Sequence, residues 1–147
     1  MSNESLSEPT PAAPLPQGNY VAAVLAGDTV RTAGMTPRRD GTLTVTGRVG
    51  AEVTLPAART AAAVAVRNAL AAVRSALPSG TRFRPIEMVV YVATAEGFTA
   101  LSAVADGASD VIAETLGEEN LPARSAIGVY TLPGGAPVEI SLTAVIL

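Results

Sequence analysis

From Tyr20 onward the chain divides into blocks whose apolar spacing switches between the two-residue period of a strand and the 3.6-residue period of a helix. Tyr20 to Leu25, a turn at Gly27-Asp28 and Thr29 to Ala33 predict a β-hairpin that Gly34-Met35-Thr36-Pro37 ends. A further turn at Asp40-Gly41 leads into Thr42 to Val49, whose Thr/Val alternation predicts a short strand or an extended loop. Ile86 to Ala93 is β-branched and nearly continuous, the pattern of a central strand. Ser125 to Leu132 and Val138 to Leu147 predict two closing strands, joined across Pro133-Gly134-Gly135-Ala136-Pro137 as a hairpin. In the last strand Val138, Ile140, Leu142 and Ala144 share one face, and Glu139, Ser141 and Thr143 the other.

Two segments carry the helical period. Thr54 caps a helix that begins near Pro56, and Pro78 with Gly80 closes it. Val66, Leu70, Val73 and Leu77 fall on one arc beside Ala62, Ala65, Ala69, Ala72 and Ala76; Thr60, Arg67, Asn68, Arg74 and Ser75 fall on the opposite, solvated arc. Glu96 to Leu116 predicts the second helix, with Phe98, Leu101, Ala105, Ala108, Val111 and Ile112 at helical spacing and Gly117 as its stop. Gly107 inside it costs about 1 kcal/mol relative to Ala.

The order is therefore β-β-(β)-α-β-α-β-β, an α+β domain over residues 18–147 whose crossovers call for parallel pairs and whose hairpins call for antiparallel ones. If both helices cover one face of this mixed sheet, the other face is bare and is predicted to be buried by self-association. Met1 to Gln17, with Pro at 9, 11, 14 and 16, reads as a flexible N-terminal tail.

Composition narrows the chemistry. The 147 residues are 48% hydrophobic but only 3% aromatic, so Ala, Val, Leu and Ile must build the core. The chain has no His, no Cys and no Lys; all ten basic residues are Arg. That excludes a Ser-His-Asp triad, a thiol nucleophile and a lysine Schiff base, and argues against a zinc or haem site. No metal and no cofactor are expected. A net charge of −3 and a pI near 4.9 argue against a nucleic-acid partner. The opening Ser, Asn and Glu predict no secretory signal. The longest Ala/Val/Leu run, Ala57 to Leu77, is broken by Arg59, Arg67 and Arg74, each costing about 2.5 to 3.5 kcal/mol in a bilayer centre, so no membrane span is expected and the protein reads as cytoplasmic.

Against that background Arg124 stands out as the one basic residue after Pro85, set in the uncharged run Leu121 to Tyr130. A guanidinium stays charged at working pH, so beside a core strand it calls for an anionic partner, either an internal carboxylate or a ligand. Glu139 is the carboxylate of the last strand, turned from its apolar face, and is read either as an exposed strand residue or as a member of the same site. Tyr20 either offers its hydroxyl to a ligand or covers the edge of the core.

Leu121-Pro122-Ala123-Arg124-Ser125, then Leu132-Pro133, then Pro137-Val138-Glu139-Ile140, resembles the C-terminal signature of the RidA/YjgF (reactive intermediate deaminase) family. Tyr20, the segment Thr32-Ala33-Gly34-Met35-Thr36-Pro37 and Asn68 match upstream in order and spacing. The resemblance implies a chorismate-mutase-like fold, a homotrimer with clefts between subunits, and hydrolysis of 2-imino or 2-enamino acids of the 2-aminoacrylate type to 2-keto acids and ammonia. It implies that Arg124 grips the substrate carboxylate and that Glu139 places the hydrolytic water. Tyr20, Gly34 and Ser102 would line the cleft. Ala33 and Met35 stand where the family commonly has Ser and Gln, Ser102 where many members have Asn, and Ala126 and Gly128 where Cys or Thr and often Glu occur, which marks a divergent subgroup. The apolar Ala33 and Met35 also motivate a second reading, a non-catalytic binder of small carboxylates such as a sensor or a partner of a biosynthetic enzyme. A third, RNA cleavage, fits the acidic pI and missing His least.

Overall fold

The computed structural model describes residues 12–147; most of the expected tail, residues 1–11, lies outside them. Strands β1 (Ala23–Ala26) and β2 (Thr29–Thr32) form the first hairpin, and β3 (Arg38–Arg39) with β4 (Thr42–Leu43) a second, small one. The latter turns at Asp40-Gly41, both with positive φ (53° and 80°), as a two-residue turn matched to strand twist requires. The rest of the expected strand to Val49 is extended loop. Strands β5 (Phe83–Ala93), β6 (Ala123–Val129) and β7 (Val138–Ile146) complete a five-stranded mixed sheet in the order β1-β2-β7-β5-β6.

The expected closing hairpin does not form. Strands β6 and β7 flank β5 on opposite sides, β6 parallel and β7 antiparallel to it. The nearly continuous apolar run of β5 must pair its backbone on both edges, and the crossover helix returns the chain to one of them. A short 3-10 turn, Pro133–Gly135, then carries the chain to the other, where β7 also joins β2.

Helix α1 (Leu55–Ser75) starts as the sequence predicts: the Thr54 hydroxyl accepts from Ala57 N–H at 3.2 Å, and Pro56 sits in the first turn. Its polar arc is narrower than expected, because α2 (Leu101–Leu116) and the β3–β4 hairpin cover its flanks. Asn68 is 4% exposed and donates from Nδ2 to the carbonyls of Thr36 (3.1 Å) and Arg38 (2.9 Å), pinning the segment between β2 and β3 to the helix. Helix α2 begins five residues later than its apolar spacing suggests. Thr94 and Ala95 still donate to Val129 and Val49, so the chain leaves the sheet late, and Gly97 turns it at φ 84°.

Both helices pack on one sheet face and against each other. At their crossing a Cβ on Gly107 would lie 2.3 Å from the Arg59 carbonyl oxygen, so only glycine permits this approach. Arg59 brackets the crossing, donating to Ala103 O at 2.9 Å and pairing with Asp110 at 3.2 Å. Met88, Val90, Val92, Ile140 and Leu142 point into this layer at 0–1% exposure. The other face carries Val24, Val89, Tyr91, Ile127, Ser141 and Glu139, and no helix covers it; Val24 is 53% and Ile127 41% exposed. Among the described residues no helix is long and apolar enough to cross a membrane.

Candidate functional site

Arg124 lies inside β6, opposite Met88, so its side chain points to the helix face. There α2 receives it. Nη1 donates to Asp106 Oδ1 and Ser109 Oγ, both at 2.7 Å; Nη2 donates to Ser102 Oγ at 2.7 Å and to the Ser102 carbonyl at 3.1 Å. Positions 102, 106 and 109 follow one another along a single helical face, so one element presents every acceptor. The guanidinium that called for an anion has an internal one. The pair is not sealed: the Arg124 side chain is 21% exposed and that of Asp106 51%.

Glu139 pairs with Tyr91 across β5–β7, and its neighbours Val138 and Ile140 are both fully buried, so the carboxylate projects onto the open face. Gly34 lies against it. Reciprocal backbone bonds between Met35 and Ile140 (2.7 and 2.9 Å) fix this juxtaposition, and a Cβ on Gly34 would sit 2.6 Å from Glu139 Cδ. Partial burial pushes the Glu139 carboxyl above the ordinary carboxylate range. Tyr20 precedes β1 rather than starting it; Ala33 N–H donates to Ala22 O (2.8 Å), which sets Tyr20 at the Gly34 end of the β1–β2 pair. Its Oη accepts from the Gln17 backbone at 3.1 Å.

Within one chain the candidate residues thus form two groups. Arg124 joins Ser102 on the helix face and Glu139 joins Gly34 on the open face, while the contacts of Tyr20 are with Gln17 and Gly18. Their levels on β5, Met88 and Tyr91, differ by about 10 Å of strand. No motif in the sequence assigns Asp106 or Ser109 a role. The signal that could have found them is their i, i+4, i+7 spacing with Ser102 in a helix that must pack beside the Arg124 strand. Met35 is 5% exposed and part of the core, which explains its apolar character. Among the described residues no group of three or more His, Cys, Asp or Glu could hold a metal ion. The arrangement offers a partly desolvated carboxyl suited to proton transfer with water, and an arginine whose carboxylate partner is half exposed and can exchange.

The model of the family described as Endoribonuclease L-PSP matches residues 10–146. Protein TCP17 of Trypanosoma cruzi is 37% identical over 132 residues, 88% of this chain and 82% of its own. The crystal structure of Atu1372 from Agrobacterium tumefaciens superposes with a TM-score of 0.86 at 34% identity, covering 98% of this chain and 89% of that one. E. coli TdcF with bound serine superposes with a TM-score of 0.64 at 25% identity, covering 90% and 92%.

Proposed function

Because the chain belongs to the RidA/YjgF family, the family described as Endoribonuclease L-PSP, we propose that it hydrolyses reactive 2-imino or 2-enamino acids to 2-keto acids and ammonia. The site is a cleft between copies of a trimer, where Arg124 of one copy meets Glu139, Gly34 and Tyr20 of the next. The observation that carries this reading is Glu139: a half-buried carboxyl with a raised pKa, held against a residue without a side chain, on a sheet face that no helix covers. Arg124 binds the substrate carboxylate as two donors to two oxygens. Glu139 takes a proton from a water as its oxygen adds to the imine carbon and passes that proton to the nitrogen, then carries the hydroxyl proton of the resulting carbinolamine to the same nitrogen. The carbinolamine then collapses: the C–N bond breaks, ammonia leaves and the C=O bond forms. Imines hydrolyse readily, so orientation and one proton shuttle suffice without a covalent intermediate. A relative that binds serine, E. coli TdcF, supports a ligand of amino-acid size.

A second reading, a non-catalytic binder of small carboxylates, draws on the apolar Ala33 and on Arg124 being occupied by its own helix. The two separate in one assay, in which an amino-acid oxidase generates 2-imino acids in situ. The deaminase reading expects release of the 2-keto acid above the buffer rate. Tight keto-acid binding with no acceleration for any imino acid would establish the binder instead.

A further inference from the structure

The guanidinium of Arg124 has five N–H groups, four of them on its terminal nitrogens. Those four meet four acceptors, all on α2: Asp106 Oδ1 and Ser109 Oγ at Nη1, Ser102 Oγ and Ser102 O at Nη2. Only Nε–H is left. A fork in this state has no pair of parallel donors to offer a ligand carboxylate, although that bidentate geometry is what makes arginine a strong carboxylate receptor. One of the acceptors is itself a carboxylate.

We infer that Asp106 is a specificity-determining residue that competes with ligand carboxylates for Arg124. This rests on the reading that Arg124 faces the ligand. The contact suits a competitor in three respects. Asp106 binds through one oxygen rather than two, so an incoming carboxylate can form a better pair than the one it replaces. Its side chain is 51% exposed, so on release it is rehydrated rather than stranded. The two serines are neutral and can rotate toward the ligand or stay where they are, Ser109 on Nη1 and Ser102 on Nη2, whereas Asp106 must give up a charge pair. A ligand with a single weak anionic group is therefore held poorly, and one that brings a well-oriented carboxylate together with further contacts to the cleft is selected. The carboxylate that appeared to settle what Arg124 binds instead sets how strongly it binds anything else.

The test is calorimetric titration of 2-oxobutyrate into the wild-type protein and the Asp106→Asn, Asp106→Ala and Arg124→Ala variants, with melting temperatures measured alongside. Asn keeps the shape and one acceptor but removes the charge. Both Asp106 variants are expected to bind the keto acid about fivefold to tenfold more tightly than wild type. Ser109→Ala, which frees a donor without changing charge, should gain less than half of that factor. Binding that depends on Arg124 but stays within about twofold of wild type in both Asp106 variants would overturn the competition while leaving the Arg124 site intact. Binding that survives Arg124→Ala would overturn the underlying site instead. No binding by any variant would overturn both.

Discussion

The two charged residues singled out by the chain meet opposite fates. Arg124 is neutralised within its own chain, its terminal donors all met by one helix. Glu139, in the strand on the far side of β5, is half-buried, with its pKa raised by desolvation and a glycine packed against it. A charge paired in place leaves no unpaired ion in the protein. A carboxylate left partly desolvated costs the fold free energy, and such groups concentrate where proton transfer is needed. Under the proposed function the two regions take different tasks: the Arg124 region gates an anion, and the Glu139 region moves a proton.

The largest effect expected is on the helix that holds Arg124. Gly107→Ala drives a methyl into the Arg59 carbonyl, a backbone atom that cannot swing aside, and should destabilise the protein by about 3 kcal/mol in a denaturant titration. It should disturb keto-acid binding while leaving the Glu139–Gly34 contact in place.

Next come the charged groups themselves. Arg124→Ala and Glu139→Gln should each lower kcat/KM for imino-acid hydrolysis by about a hundredfold, roughly 2.7 kcal/mol of transition-state stabilisation, without loss of the oligomer. The split between the regions predicts different signatures: Arg124→Ala acts mainly through KM, Glu139→Gln mainly through kcat.

Gly34→Ala sharpens the Glu139 half alone. The new Cβ must displace a flexible carboxylate rather than backbone, so stability should change little while kcat falls about tenfold.

The smallest effect is on pH dependence. The folded Glu139 carboxyl has a pKa above its unfolded value, so the folded state holds its proton more tightly. The contribution to stability is full below the unfolded pKa, near 4.5, and is lost as pH rises through the raised folded value. Melting curves across that window should show the decline, and Glu139→Gln should abolish it. As a general base Glu139 must be ionised, so kcat should fall as pH drops through the same raised pKa.

The elements were largely legible in the sequence because local rules governed them. Thr54 and Pro56 marked the start of α1, and the Gly27-Asp28 and Asp40-Gly41 turns set their hairpins. Strand partnership was not local. Nothing in the Pro133 to Pro137 segment distinguishes a hairpin turn from a step past β5, which follows only from the need of β5 to pair both edges. Helical periodicity puts Asn68 on a solvated arc because it cannot see the β3–β4 hairpin that buries it. The site divided along the same line. Arg124 and Glu139 could be picked out as isolated charges in apolar strands, whereas Asp106 and Ser109 acquire meaning only once α2 is laid beside β6.

The central claim, that the two regions form one site only between copies of the chain, is tested most directly by complementation. Arg124→Ala and Glu139→Gln proteins, each lowered about a hundredfold alone, are unfolded together and refolded, or co-expressed with distinct tags and purified as mixed oligomers. Random assortment restores a complete Arg124–Glu139 pair at roughly a quarter of the interfaces of the whole mixture and at about one in three in purified mixed trimers, and imino-acid hydrolysis should return to about that fraction of the wild-type rate. Mixed oligomers that form and remain inactive would contradict the claim.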